Sequence, residues 1–184
     1  MTMTPRFLSA GAESRVMQLG FGFEPQASVQ YDWITPRFIL DRLGEFDLDP
    51  CAHPQQPWPT ARTMSALPVD GLSIEWKGRV WLNPPYGKET KFWLARMAKH
   101  DCGTVLIFAR TDTHEWMRYI WGHASAILFL TGRLHFCEPD GTPSADNPGA
   151  PSALIAYGRN DADQLARCGL AGGFVEAPRV LYTQ

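Results

Sequence analysis

The chain has 184 residues, of which 45% are hydrophobic and 20% charged, and its formal net charge is −2. This length suits one domain with a substantial core and is short for two domains of average size. The composition excludes an intrinsically disordered chain, and the charge argues against a strongly basic nucleic-acid-binding protein. Contact with a phosphate backbone would therefore depend on a local basic patch.

The four cysteines are scattered and none belongs to a Cys-x-x-Cys motif. This usage predicts reduced thiols and a cytoplasmic compartment. Cys51 with His53 and His135 with Cys137 could together hold zinc, but neither spacing is that of a common finger or ribbon, so we expect no metal. The sequence shows no leader and no run of about 18 apolar residues, which predicts no membrane anchor.

Residues 1–30 show neither a clean helical or strand period nor low complexity. Glycines and Pro25 interrupt any short helix between Ala12 and Leu19. We expect an N-terminal extension that either lies on the body of the protein or is mobile. One domain, without a separate target-recognition domain, is expected over residues 31–184.

A short helix is the first regular element that the sequence predicts. Thr35 is a good N-cap, Pro36 a good first helical residue, and Gly44 a good stop after the apolar face of Phe38–Leu43. Trp33 precedes this helix as either a core residue or a ring that stacks on a ligand, and the sequence slightly favours core.

Alternating apolar and acidic residues over 46–49 predict a strand with one wet face. In open α/β sheets, ligands bind outside the carboxyl ends of strands, where an acid can hold an ammonium or a ribose hydroxyl. We interpret Asp47 as a solvated residue and Asp49 as the better functional candidate. Asp70, about 20 residues later, fits an ordinary Asp-Gly turn as well as a ribose- or base-binding acid.

From residue 79 the apolar pattern predicts strands and helices in regular succession, after a proline-rich loop over 53–63. The strands are expected at 79–82, 104–108 and 126–130, and the helices at 89–100 and 112–121, the second with a capping box. Two consecutive β-α-β units would give a parallel sheet with right-handed crossovers. Beyond Gly132 we expect an antiparallel hairpin of 133–136 with 153–157, joined by a long tip, then a helix near 162–168 and an edge segment at 174–181.

The strand at 79–82 ends in Asn-Pro-Pro-Tyr. A residue before proline is held extended, and proline has no N–H. The Asn83 amide oxygen and the Pro84 carbonyl are therefore expected to be free acceptors beside the ring of Tyr86. Two acceptors next to an aromatic plane suit a planar group bearing an –NH₂, such as the edge of adenine. The alternative is a proline-rich turn without function, since the chain has 15 prolines.

Several strings, in their order along the chain, resemble the phage-type (Dam-like) DNA N6-adenine methyltransferases, which use S-adenosylmethionine. They cover about residues 31–157 and are Trp33-Ile34-Thr35-Pro36, Leu48-Asp49-Pro50-Cys51-Ala52, Asp70-Gly71-Leu72 with Trp76, Trp81-Leu82-Asn83-Pro84-Pro85-Tyr86, Ala109-Arg110-Thr111-Asp112-Thr113 and Gly132-Arg133-Leu134-His135-Phe136. The resemblance implies a trimmed Rossmann-like α/β fold, a mostly parallel sheet with a terminal antiparallel hairpin. It also implies a DNA substrate and a cytoplasmic, phage- or prophage-encoded enzyme.

The reaction implied by the resemblance is direct displacement on a flipped or unpaired adenine, without a metal. The catalytic residues would be Asn83, Pro84, Pro85 and Tyr86. Asn83 and the Pro84 carbonyl would accept the two N6 protons, and Tyr86 would stack on the base. Rate acceleration would come mainly from orientation.

The implied cofactor site comprises Trp33, Thr35, Pro36, Asp49, Pro50, Cys51, Ala52, Asp70, Leu72 and Asn83. Asp49 would take the methionine ammonium, and Asp70 the ribose or the adenine amino group. Lys88, Arg110 and Arg133 would contact DNA phosphates, with ordinary surface charge as an equal alternative.

Two features depart from the methyltransferase pattern. His53-Pro54-Gln55 stands where a Gly-x-Gly usually lets the backbone approach the cofactor. About 30 residues separate Asp49 from Asn83, too few for two full intervening β-α units. With no insert for target recognition, we expect short or relaxed sequence specificity. The sequence does not predict an oligomeric state.

Other functions remain open at this stage. The same motif serves methyltransferases that act on a protein glutamine, an RNA base or cytosine N4. A catalytically silent remnant that binds cofactor or DNA would fit the missing Gly-x-Gly. A metal-dependent hydrolase using Asp47, Asp49 and Asp70 is the least favoured.

Overall fold

A computed structural model describes residues 33–145 and 149–176. These residues form a seven-stranded sheet in the order β2-β1-β3-β4-β6-β5-β7. The strands are β1 (Leu48–Asp49), β2 (Thr63–Met64), β3 (Val80–Leu82), β4 (Gly103–Phe108), β5 (Ala126–Leu130), β6 (Ser152–Tyr157) and β7 (Gly172–Glu176). The helices are α1 (Arg37–Leu43), α2 (Thr90–His100) and α3 (Arg159–Arg167), with a π-helix at Trp116–Trp121. The N-terminal extension and most of the predicted segment 174–181 lie outside the described residues.

The sheet separates two apolar layers, because successive residues of a strand point to opposite faces. Val80 and Leu82 pack with α2 and the π-helix, whereas Trp81 packs with α1 and α3. All six residues of β4 are buried, as its continuous apolar run predicts. The α/β class is therefore confirmed.

Half of the strand pairing differs from the prediction. The first β-α-β unit is confirmed, since β3 and β4 are parallel neighbours joined by α2. The second also joins two strands of one direction, since β4 and β5 run parallel with the π-helix between them in sequence. The two strands are not neighbours, however, because β6 lies between them and is antiparallel to both. The sheet is thus mixed, with three parallel and three antiparallel strand pairs among the described residues. Residues 133–136 form no strand, so the predicted hairpin had the wrong partner for β6.

The connection from β5 to β6 folds back on the lead-in to α1. Cys137 bridges to Ile34 on one side and to Pro143 on the other. The Phe136 ring lies 4.8 Å from that of Trp33. The described part of this long tip is therefore anchored to the body of the protein.

Helix ends follow local chemistry, with small shifts from the prediction. Pro36 occupies the N-cap position, so α1 begins at Arg37, and Gly44 ends it with a φ of 77°. At 116–121 the helix is a π-helix; the predicted capping box is absent, and Thr113 Oγ1 accepts the Trp116 N–H instead. None of the helices in the described ranges is long and apolar enough to cross a bilayer.

The strand order reverses between β1 and β3. β1 is parallel to β2 on one side and to β3 on the other. At such a switch point, the loops leaving the carboxyl ends of the two strands diverge and leave a crevice in which open α/β sheets bind ligands. The loop after β1 and the Asn-Pro-Pro-Tyr corner after β3 both emerge there.

Candidate active site

A cavity of about 640 Å³ lies at this crevice, within the usual range for small-molecule sites. Its wall is formed by Trp33, most of the segments 50–54 and 65–72, the corner 83–86, and Glu89, Phe92 and Trp93 at the start of α2. The four predicted catalytic residues and most of the predicted cofactor residues are thus brought together. Thr35, Pro36 and Asp49 are not part of the wall.

The Asn83 side chain has a fixed orientation. Its Nδ2 donates to the Trp33 carbonyl over 2.7 Å, and because a carbonyl only accepts, this bond decides which side of the amide faces Trp33. Oδ1 is left buried, and no residue in the described part of the chain gives it a hydrogen bond. Such an unpaired acceptor costs about 1–3 kcal/mol, which an N–H donor on a ligand would recover.

The backbone of the corner is held from the opposite side. Cys51 Sγ donates to the Asn83 carbonyl over 3.2 Å. Burial raises the pKa of the Cys51 thiol, so the thiol keeps its proton and remains a donor. The Pro84 carbonyl accepts no hydrogen bond from the described residues. The two acceptors expected from the sequence, Asn83 Oδ1 and the Pro84 carbonyl, are therefore both present.

Tyr86 belongs to an aromatic cluster as well as to the cavity wall. Its ring stacks on Phe108 at 4.1 Å and meets Trp33 at 5.9 Å. Its hydroxyl is buried without a partner, and burial raises the pKa of Tyr86, which keeps the phenol neutral. Trp33 likewise packs against the core and lines the cavity, so it fits both interpretations of its role.

The Asp49 carboxylate lies behind the cavity wall. Oδ2 accepts from the Thr60 hydroxyl over 2.5 Å and Oδ1 from the Cys51 N–H over 3.0 Å. Asp49 is only 3% exposed, so the expected wet face at this strand end is wrong. Burial raises the pKa of Asp49 to about 6. Its predicted contact with an ammonium group remains a prediction, and these two bonds already occupy both of its oxygens.

We expect Asp49→Asn to remove a pH dependence of folding stability. A carboxyl group with a raised pKa favours folding when protonated, so its contribution is full below about pH 4 and is lost as the pH rises through about 6. The loss amounts to about 2–3 kcal/mol. Asparagine can accept from the Cys51 N–H and donate to the Thr60 hydroxyl, so the variant should be more stable than the wild type above pH 7. Urea unfolding across this pH range measures the difference, and parallel curves for the two proteins would contradict the assignment.

The segment around Asp70 forms a tight turn on the opposite wall. Asp70 Oδ1 accepts the Leu72 N–H over 2.9 Å, which confirms the Asp-Gly turn. A Cβ on Gly71 would lie 1.6 Å from the Pro50 carbonyl oxygen. The close approach at the end of β1 is therefore made by Gly71, whereas at 53–55 the His53 Nδ1 accepts the Gln55 N–H.

Gly71→Ala should disturb both stability and the cavity. The added methyl group must push the 65–72 segment away from Pro50, at a cost of about 1–3 kcal/mol. We expect lower stability in urea unfolding and a wider cavity with weaker ligand binding. Gly173→Ala is the matched control, because a Cβ there meets nothing within 4 Å. Equal stability of the two variants would show that the close approach to Pro50 does not restrict the side chain at position 71.

Seven residues of the wall were not singled out as site residues from the sequence: Ser65, Ala66, Leu67, Val69, Glu89, Phe92 and Trp93. Ser65 Oγ and Trp93 Nε1 are buried polar atoms without a hydrogen-bond partner, and Phe92 is 54% exposed at the rim. Helical spacing predicted one apolar face with Phe92, Trp93 and Met97, which is confirmed for Trp93 and Met97 and wrong for the exposed Phe92. No sequence signal shows that the Trp93 N–H lacks an acceptor. Ser65 follows a two-residue strand that has no apolar pattern.

The predicted DNA-contacting residues lie along one edge of the sheet. β3, β4 and β5 run in the same direction, so Asn83, Arg110 and Arg133 all follow carboxyl ends at that edge. Both arginines and Lys88 are exposed, and none of the three lines the cavity. The Arg110 guanidinium lies 5.9 Å from the Phe108 ring, which places it next to the aromatic cluster around Tyr86.

Within residues 33–145 and 149–176, no group of three or more His, Cys, Asp or Glu side chains converges in a way that could hold a metal ion. Cys51 of the considered zinc arrangement hydrogen-bonds to the Asn83 carbonyl. Asp47, interpreted as a solvated residue, has a side chain that is 46% exposed, and it also accepts the Arg79 N–H and pairs with the exposed Arg62.

Comparison with protein families identifies the family of the chain. A family model described as DNA N-6-adenine-methyltransferase (Dam) matches residues 24–164. The chain belongs to this family. The match confirms the resemblance that the sequence strings, in their order along the chain, indicated. The protein is therefore a methyltransferase, and its general activity is N6 methylation of adenine in DNA. Neither the curated proteins nor the solved structures compared with the chain include a match.

Proposed function

We propose that the protein uses S-adenosylmethionine to methylate N6 of an adenine that is flipped out of the duplex or unpaired. The observation that carries the proposal is the unpaired acceptor of Asn83, fixed by the Trp33 carbonyl on the wall of a cavity at the β1–β3 switch point. An acceptor with this orientation suits an amine donor and would not suit a carbonyl substrate.

The cavity suits this cofactor in size and charge. Apart from His53, the ionisable side chains among its described wall residues that are charged near neutral pH are the carboxylates of Asp70 and Glu89. The cofactor carries a net positive charge and, when bound, supplies an electrophilic methyl group. Trp33, the turn from Pro50 to Ala52, and Asp70 with Leu72 would hold it. Asp49 would shape this turn through the Cys51 N–H, behind the wall.

The corner would orient the target amine. Asn83 Oδ1 and the Pro84 carbonyl would each accept one N6 proton and so direct the nitrogen lone pair toward the methyl group. Pro85 keeps the corner rigid, and Tyr86 offers its ring to the base. Extruding a paired base costs a few kcal/mol, which contacts of Lys88, Arg110 and Arg133 with phosphates would offset. Orientation of the two reactants supplies the rate acceleration.

The fold we propose is a trimmed Rossmann-like methyltransferase domain over residues 31–184, preceded by an extension. The crossover from β1 to β2 and the segment from β2 to β3 contain no α-helix, in keeping with the short interval between Asp49 and Asn83. Residues 33–145 and 149–176 contain no insert large enough for target recognition, so the enzyme should recognise a short or relaxed sequence. A methylation map with a long, strict site would contradict this.

The deciding experiment offers one labelled methyl donor to several acceptors. Purified protein is incubated with duplex DNA, single-stranded DNA, RNA and protein extract, and the products are digested and separated. We expect label in N6-methyladenine from DNA. Label in cytosine, RNA or protein would redirect the function, whereas donor binding without transfer to any acceptor would identify a silent remnant.

A further inference from the structure

The charges on the cavity wall are of one sign. Asp70 and Glu89 contribute two exposed carboxylates, and none of the described wall residues is a lysine or arginine. Two other wall residues, Asn83 and Trp93, each hold a buried polar atom (Oδ1 and Nε1) that has no hydrogen-bond partner among the described residues. The wall is therefore suited to a cation with hydrogen-bonding groups.

The donor and the product of the proposed reaction differ mainly in charge. Loss of the methyl group turns a sulfonium into a neutral thioether, so the net charge falls from +1 to 0, while the ammonium, carboxylate and adenosine parts stay the same. A carboxylate that contacts one of the shared parts stabilises both ligands equally. A carboxylate close to sulfur stabilises only the donor.

Glu89 is the wall carboxylate closest in the chain to the reacting corner. The methyl group must approach N6 to about 3–3.5 Å, so sulfur must lie beside Asn83. Glu89 is the N-cap of α2 and follows Tyr86 by three residues. The turn between them is tied down, because Thr90 Oγ1 donates to the Pro85 carbonyl over 2.7 Å and accepts the Gly87 N–H over 3.0 Å.

Asp70 has a different position. It belongs to the 65–72 segment on the wall that adjoins Pro50, and one of its oxygens accepts the Leu72 N–H. It is thus placed for the shared part of the ligand. We propose, in an inference that rests on the proposed function, that Glu89 discriminates between the sulfonium donor and its thioether product. This discrimination would limit product inhibition.

The size of the effect follows from electrostatics. Two unit charges about 6–8 Å apart in a partly solvated site interact enough to change affinity by about three- to tenfold. Because Glu89 is exposed, added salt should screen the interaction. The discrimination should therefore be largest at low ionic strength.

Calorimetric titration with S-adenosylmethionine and with S-adenosylhomocysteine tests the proposal. The proteins are wild type, Glu89→Gln, Asp70→Asn and, as a control, Glu176→Gln on β7 at the far edge of the sheet. We expect Glu89→Gln to lower the ratio of product Kd to donor Kd by about three- to tenfold at low salt, through weaker donor binding. Asp70→Asn should weaken both ligands alike, and Glu176→Gln should change neither.

The outcomes separate this inference from the proposed function. If wild type binds both ligands and Glu89→Gln leaves the ratio unchanged, the role of Glu89 is refuted while the cofactor site stands. If Glu89→Gln weakens both ligands equally, Glu89 holds a shared group and the discrimination is likewise refuted. If wild type binds neither ligand, the proposed cofactor is refuted, and the proposed role of Glu89 is refuted as well. Thermal melts of each variant exclude loss of folding as the cause.

Discussion

Asn83→Ala is expected to reduce methyl transfer to DNA by about 10²–10³-fold, the usual loss when one preorganised polar partner of a reacting group is removed. The reason is geometric. Oδ1 has no partner among the described residues and Nδ2 is bound to the Trp33 carbonyl, so the side chain would lose no hydrogen bond by accepting an N6 proton. Truncation removes the acceptor and the Nδ2 bond to the Trp33 carbonyl, while the bond from the Cys51 thiol to the Asn83 backbone carbonyl is kept. Donor affinity should therefore change little.

Asn83→Asp is the matched variant for this test. It keeps an acceptor oxygen at the corner but replaces the donor that faces the Trp33 carbonyl by a second acceptor. Repulsion between the two oxygens should misplace the side chain, so we expect a loss smaller than that of the alanine variant. Single-turnover rates, with donor Kd measured separately, distinguish the two effects. Wild-type turnover in Asn83→Ala would remove the corner from the mechanism.

The corner could be predicted from the sequence because its physics is local. Proline restricts its own backbone and that of the residue before it, so the string around Pro84 and Pro85 encodes the extended corner and its Pro84 carbonyl locally. The same holds for the buried run of β4 and for the end of α1 at Gly44. In each case the deciding interactions lie within a few residues. The orientation of the Asn83 amide depends in addition on the Trp33 carbonyl, 50 residues away in the chain.

The position of β6 could not be predicted in this way. A continuous apolar run shows that Ala153–Tyr157 is buried on both faces, but it does not say which strands flank it. Sequential order favoured β4 next to β5, and the structure inserts β6 between them. The neighbours of β6 are a long-range property, because they depend on which strands of the sheet still have an unpaired edge when residues 152–157 join it.

The environment of Asp49 was hidden for a similar reason. Alternation with Phe46 and Leu48 indicated an exposed face, yet Thr60, from the loop before β2, covers the carboxylate. Ser65 Oγ and Trp93 Nε1 can be recognised as lacking a hydrogen-bond partner only from the three-dimensional positions of the residues around them. Sequence reasoning thus placed the Asn83 corner and most of the proposed cofactor residues on one cavity, and it missed seven residues of the cavity wall.

The second large effect is expected at the opposite end of the sheet, where a buried ion pair joins four elements. Asp161 of α3 is 1% exposed, and its Oδ1 accepts from Arg79 Nε and from Thr104 Oγ1, each over 2.8 Å. Arg79 also donates to the carbonyls of Leu43 and Glu45 and lies over the Phe46 ring at 4.0 Å. Burial raises the pKa of Asp161 in spite of these partners.

Asp161→Ala should lower the free energy of unfolding by about 3–5 kcal/mol, because it leaves the Arg79 guanidinium and the Thr104 hydroxyl without their acceptor. Asp163→Ala, on the same helix, is the control: its partner Arg159 is exposed, and such pairs contribute little. A double-mutant cycle with Arg79→Met isolates the coupling, which should be strongly favourable for Arg79 with Asp161. Methyl transfer by the folded Asp161 variant should stay near the wild-type rate, since the pair lies at the amino ends of β3 and β4, away from the Asn83 corner. Equal destabilisation by the two aspartate substitutions would show that the buried pair does not hold the elements together.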